Sequence, residues 1–122
     1  MQREQSAGGP IVHGFAGRGF RLADGAVFDA LLMTIERAES WSPPPLAELT
    51  VDAFAWLLAA TPEFVLIGTG AALVRPPVAL VRAIEAHDIG VEAMDSRAAA
   101  RAWGVLRGEG RAIAAAFYPL DA

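Results

Sequence analysis

The stretch Phe64-Val-Leu-Ile-Gly-Thr-Gly70 is where residue types and spacing come nearest to chemistry in this 122-residue chain. An apolar run that opens into a Gly-rich turn ahead of a helix lets backbone N–H groups approach an anion, and the helix N-terminus adds a favourable dipole. A dinucleotide fingerprint needs G-x-G-x-x-G, however, and Leu73 stands where the third glycine belongs. Pro76 and Pro77 fall in what reads as the first helical turn, and neither has an N–H to donate. Glu92 further on could imitate the acidic ribose ligand of such sites. The plainer reading is a tight turn that requires Gly for steric reasons. Between the two lies a small ligand or partner peptide held at the carboxyl edge of a sheet.

Met94-Asp95-Ser96 should end a neighbouring strand and so face the Gly68 turn. Asp95 could serve as a base or hold a polar ligand; as a helix cap it would contribute about 1 kcal/mol. Arg97 and Arg101, four apart, read as solvated side chains or as a positive edge. Glu109-Gly110-Arg111 reads as a charged corner, or as an Arg ready to pair an anion. The candidate ligand or partner surface is therefore Gly68, Thr69, Gly70, Asp95, Ser96, Arg97 and Arg111. A small-molecule site would need Thr69, Asp95, Ser96 and Arg111 to converge at the strand ends.

Other chemistries find no support. His13 and His87 are the only imidazoles, without metal-binding spacing, and the chain has no Cys to act as ligand, nucleophile or disulfide partner. Ser40, Ser42 and Ser96 lack a G-x-S-x-G elbow. No catalytic residue, metal or cofactor is expected. Trp41, Trp56 and Trp103 read as core or sub-surface residues. The ten basic side chains, all Arg, against fourteen acidic ones give a net charge of −4, which argues against a phosphate-tracking surface and a nucleic-acid partner. No uncharged apolar run nears the roughly 18 to 20 residues that cross a bilayer. The opening Met-Gln-Arg-Glu-Gln-Ser has no apolar segment, which predicts a cytoplasmic protein.

The elements that must position these residues follow from punctuation. Residues 1–10, ending in Gly8-Gly9-Pro10, read as a disordered tail, and 11–122 as a single α/β domain. Ile11–Phe15, Phe20–Leu22 and Ala26–Phe28 read as strands joined at Gly17-Arg18-Gly19 and at Asp24-Gly25, a strong hairpin signal. Ala30–Ile35 suits a buried strand; Glu36–Trp41 alternates less clearly. Pro43-Pro44-Pro45 favours an extended connector. The spacing of Val51, Phe54, Leu57 and Leu58 predicts a helix capped by Thr50. Phe64–Ile67 reads as a central strand buried on both faces. Helices then carry Leu80, Val81 and Ile84, and, behind Asp95 or Ser96 as cap, Ala99, Trp103 and Leu106. Strands at Val91–Met94 and Arg111–Tyr118 complete the alternation, which suits right-handed crossovers onto a partly parallel sheet.

Four pieces in order, Gly17-x-Gly-Phe-x-Leu22, Phe64–Gly70, Gly90-Val-Glu-Ala-Met-Asp-Ser96 and Glu109-Gly-Arg-Ala-Ile-Ala-Ala-Ala-Phe-Tyr-Pro119, give a pattern over residues 11–119. It resembles the small domain-of-unknown-function family that includes mitochondrial complex I assembly factor three and many short bacterial proteins. The resemblance implies a three-layer fold: a central mixed sheet with helices on one side and the N-terminal meander on the other. It implies no established reaction, and an assembly role in the mitochondrial relatives. Where relatives carry a Cys and then a Thr-Tyr-Asn-like step, this chain has Ala100, Ala102, Trp103 and Gly104, with Ser96 in place of Thr, so chemistry resting on those groups is out of its reach. Two functions remain. One is a non-enzymatic protein-binding, assembly-factor-like domain, linked to assembly of complex I or other membrane complexes. It would offer a sheet edge, or the surface around Gly68–Gly70 and Asp95–Arg97, to a protein partner. The alternative is a small-molecule or anion-binding module or enzyme with its site at the strand carboxyl ends. Exposed edge strands would also allow a homodimer.

Overall fold

The computed structural model describes residues 8–122. Its N-terminal part is an antiparallel meander of β1 (Val12–Ala16), β2 (Gly19–Leu22) and β3 (Val27–Phe28). Gly17 and Gly25 take positive φ at its two turns, as the sequence demanded, and Asp24 Oδ1 accepts from the N–H of Ala26 at 2.9 Å. The second sheet has five strands: β4 (Leu31–Met33), β5 (Ala38–Ser40), β6 (Phe64–Gly68), β7 (Gly90–Met94) and β8 (Ala114–Phe117), in the order β5-β4-β8-β6-β7. β6 runs parallel to both β7 and β8, whereas β4 is antiparallel to β8 and β5. The fold is a mixed-sheet α/β domain with an added antiparallel meander, as expected.

The layers are apportioned differently from the expectation of helices on one side only. One face of the five-stranded sheet, with Leu31, Met33, Leu66 and Phe117, packs against Phe20 and Leu22 of the meander and also against Trp103 of α3 (Ser96–Gly108). The opposite face, with Val65, Ile67 and Ala116, packs against Leu57 of α1 (Ala55–Ala59) and against Leu80 and Ile84 of α2 (Val78–Glu85). Chain direction accounts for this. The β6-α2-β7 unit steps outward to the edge, and β7-α3-β8 steps back across β6. Two right-handed crossovers of opposite sense must lie on opposite faces. β8 carries Ala114, Ala115 and Ala116, so both layers come close to the sheet at its centre.

Local readings shift in four places. The helix expected after Thr50 is a 3₁₀ turn, Val51–Phe54, that passes into the five-residue α1, and the Thr50 side chain makes no cap bond. Pro77 is the cap residue of α2 and stands outside it, so the prolines do not occupy its first turn. The stretch Glu36–Trp41 supplies the short edge strand β5. The last strand covers Ala114–Phe117 only; ahead of it Ala112 O accepts from Glu63 N at 2.8 Å, while Arg111 and the Ala112 N–H bond the Glu63 carboxylate. Residues 1–7 of the expected tail lie outside the described residues. Gly8–Pro10 are tied to α3: the indole N–H of Trp103 donates to Pro10 O at 2.9 Å and Arg107 to Gly8 O at 3.4 Å.

Candidate functional site

In an open α/β sheet a ligand crevice forms at the carboxyl ends of two neighbouring parallel strands whose connections leave in opposite directions. Here that point lies between β6 and β8, since β7-β6-β8 reproduces the strand order of such a switch. Gly68 ends β6 beside Met94 on one side and Phe117 on the other. A Cβ at Gly68 would come within 2.9 Å of Ser96 Oγ and 3.0 Å of the Phe117 ring. Glycine is thus required by the side chain of α3 that sits above it.

The crevice is filled by the chain itself. Ser96 is fully buried; its hydroxyl accepts from the N–H of Gly70 at 2.8 Å and donates to Tyr118 O at 2.7 Å. The Ser96 N–H donates back to Gly70 O at 2.8 Å, and the Tyr118 N–H to Gly68 O at 2.8 Å. Ala71 N–H donates to Ala122 O at 3.0 Å, and a Cβ on Gly70, whose φ is +107°, would run into that same carbonyl. Thr69, almost fully buried, donates its N–H to Met94 O at 2.8 Å, and its hydroxyl accepts from Val74 N at 3.1 Å and donates to Ala72 O at 2.7 Å. The hydroxyls of Thr69 and Ser96 and the N–H groups of Thr69, Gly70, Ala71 and Ser96 are thus already engaged within the chain.

Gly68, Thr69, Gly70, Asp95 and Ser96 therefore meet on one rim, as the sequence suggested. Asp95 caps α3, its Oδ1 accepting from Ala98 N at 2.9 Å. A cap of this kind stabilises by about 1 kcal/mol and commits that oxygen to the helix. Arg97 lies beside the rim, with its guanidinium 5.5 Å from the ring centre of the half-exposed Phe15. Nearby, Arg18 pairs with Asp121 at 3.0 Å and its carbonyl accepts from Leu120 N at 2.8 Å, which pins the last residues over the rim. Arg111 does not join them. It sits at the amino end of the sheet, where it bonds Glu63, the residue before β6, at 2.9 Å. The convergence of Thr69, Asp95, Ser96 and Arg111 is thus corrected: a residue that leads into β8 and one that follows β6 stand at opposite poles of parallel strands.

The electrostatics agree with a structural rather than a reactive pair at that far pole. The bond from Arg111, then the N–H of Ala112, hold the Glu63 carboxyl below its usual range, and Glu63 in turn raises Arg111. Tyr118, which sequence reasoning did not single out, shows a large shift: burial pushes its hydroxyl up to about 12. The hydroxyl donates to Pro44 O at 2.7 Å under the edge of the Trp41 ring. The acceptor lies 74 residues away in the chain, so local spacing gives no sign of it. Among the described residues, no group of three His, Cys, Asp or Glu could hold a metal ion, and no helix is long and apolar enough to cross a membrane.

Tyr118 makes a prediction possible. It is the only tyrosine, all basic side chains are Arg, and Cys is absent, so between pH 10 and 12 it is the side chain that titrates. Its proton is held more tightly in the folded state than in the unfolded one. Stability is then full below about pH 10 and falls as pH rises towards about 12, by on the order of 2–3 kcal/mol. Urea unfolding across this range should show the decline, and Tyr118→Phe should flatten it. A tyrosinate absorbance rising at the ordinary midpoint in the folded protein would refute the shift.

The fold is thus a mixed α/β sheet whose switch-point crevice is packed with its own side chains and with residues 118–122. Residues 12–118 match the family described as a protein of unknown function (DUF498/DUF598), and the chain belongs to that family. It is 27% identical over 121 residues to NADH dehydrogenase (ubiquinone) 1 alpha subcomplex assembly factor 3 of Danio rerio, covering 98% of this chain and 69% of the relative. The crystal structure of a Bordetella parapertussis protein matches with a TM-score of 0.81 and 30% identity over 90% of this chain and 95% of that one. A Bordetella pertussis protein, described as an Mth938-like domain, matches with a TM-score of 0.78 and 26% identity, covering 92% and 87% of the two chains.

Proposed function

We propose that this protein is a non-enzymatic, assembly-factor-like domain that binds another protein through the exterior of its carboxyl rim. The observation that carries the reading is the closed crevice: Ser96 and Tyr118 occupy the place where an α/β sheet would hold a small ligand. What the rim leaves outward includes apolar side chains beside the exposed Arg75 and Arg97. Leu73, Val74 and Val78 are 62%, 51% and 65% exposed on the segment that follows the Gly turn. Leu73 and Val74 on that loop and Val78 at the start of α2 would mark a partner surface if they form one contiguous apolar patch. The assembly role of the zebrafish relative supports a client drawn from NADH dehydrogenase or another membrane complex.

Affinity capture with the tagged full chain under native conditions, followed by mass spectrometry, tests this. A respiratory or membrane-complex subunit should be retained by the wild type and lost with Val74→Asp, an exposed site whose substitution leaves the core intact. Retention of no such subunit would overturn the assembly reading. The rival, a small-molecule or anion-binding module at the strand ends, makes its own demand. Ligand at 100 times its dissociation constant would add about 2.7 kcal/mol of stability. A panel of nucleotides and anions is expected to produce no such shift, and a saturable shift would favour the rival.

A further inference from the structure

We propose that the free edge of β7 docks an extended segment of a partner protein, with basic and apolar residues in alternation, as a sixth strand of the five-stranded sheet. This rests on the protein-binding reading above and names a second surface for it.

β7 is the terminal strand of the sheet. Gly90 N donates to Glu63 O at 3.0 Å, and Met94 O accepts from Thr69 N at 2.8 Å, so Gly90, Glu92 and Met94 turn their backbone groups to β6. Alternation then turns the N–H and C=O of Val91 and Ala93 outward, where no described strand pairs with them. Unpaired edges of this kind are templates for strand addition unless proline, a bulge or a cover blunts them. β7 has no proline, and its pairing with β6 runs without a break in register.

Hollows flank the edge on both faces. On the α3 side, about 660 Å³ is lined by Phe64, Met94, Leu106 and Glu92. On the α2 side, about 280 Å³ is lined by Leu73, Pro76, Val81 and Val91. An added strand sends alternate side chains to alternate faces, one set into each hollow. The charges choose which set is basic. In the larger hollow Glu63 is engaged by Arg111, whereas Glu85 and Glu92 have no ion-pair partner among the described residues. Arg or Lys stems would cover Phe64, Met94 and Leu106 while their heads reach those carboxylates. Small apolar side chains suit the other hollow.

The same charges disfavour a second copy. The register that uses all four outward groups pairs Val91 with Ala93 of the other chain. It sets Glu92 against its own counterpart in the close, non-hydrogen-bonded position, where like charges repel.

The test uses the isotopically labelled full chain and two acetylated, amidated peptides, Thr-Arg-Val-Arg-Val-Thr and Thr-Glu-Val-Glu-Val-Thr. The basic peptide should shift the amide resonances of Val91–Ala93 and slow exchange of the Val91 and Ala93 N–H groups. The acidic peptide should bind about tenfold more weakly. Glu92→Lys, an exposed substitution, should reverse the order. Ala93→Pro, tolerated where an edge N–H faces solvent, should abolish binding. Equal binding of both peptides, shifts confined to other surfaces, or concentration-dependent shifts at β7 without peptide (a second copy at the edge) would each overturn the proposal. Captured-partner assays separate the two readings. A partner kept by Glu92→Lys and Ala93→Pro but lost with Val74→Asp removes the edge and leaves the rim. No partner with the wild type and no peptide shift removes both.

Discussion

Ser96→Ala should lose about 2–4 kcal/mol of unfolding free energy, out of proportion to the single oxygen removed. The hydroxyl satisfies two buried backbone groups at once, Gly70 N–H and Tyr118 C=O. Without it both are left inside the structure, and each unsatisfied buried group costs roughly 1–3 kcal/mol. Alanine fits the space, so the loss reflects hydrogen bonding rather than a clash. Urea unfolding measures it, with Ser40→Ala on the exposed end of β5 as the control that should stay within about 0.5 kcal/mol of wild type. A Ser96→Ala protein as stable as the control would mean that the crevice is hydrated or open.

Trp103→Ala should cost more, about 3–5 kcal/mol. The indole has no exposure and lies in the cluster that joins α3 to Phe20 of the meander and Phe117 of the sheet. Its N–H also holds Pro10 O. A loss of that size is a large fraction of the roughly 5–15 kcal/mol typical of a domain. Trp103→Phe separates the contributions: it keeps most of the ring volume and gives up the bond to Pro10, so its cost should be well under half that of alanine. Equal costs for the two would place the weight on the Pro10 bond instead of packing.

Legibility in the sequence followed the range of the interaction. The meander turns, the doubly buried Phe64–Ile67 strand and the Asp95 cap are written in residues a few positions apart, and each could be placed from local spacing. The approach of Gly68–Gly70 to Asp95 was also within reach, because parallel neighbours end together. The division of helices between two faces was not, since it depends on the direction in which the chain returns from β7 to β8. Arg111 leads into β8 and so stands at the amino pole, away from the rim; its bond to Glu63 is a pairing of residues 48 apart in the chain, which local spacing does not reveal. Ser96 was visible as a cap candidate, yet its work is to tie two distant strand ends together. Thr50 carried a capping side chain without using it, as the chain there tightens into a 3₁₀ turn.

The self-filled crevice gives the turn glycines a packing role. Gly68 admits the Ser96 side chain, and Gly70 admits the carbonyl of Ala122.

Amide hydrogen exchange at Gly70 and Ser96 is the most direct measure of that packing. Both N–H groups should exchange on the timescale of Leu66 and Ile67 in the middle of β6, since all four would then open only when the domain itself does. Exchange at Gly70 and Ser96 as fast as in the exposed 71–75 segment would show an interior that clears without unfolding, and with it a crevice still available to a small ligand.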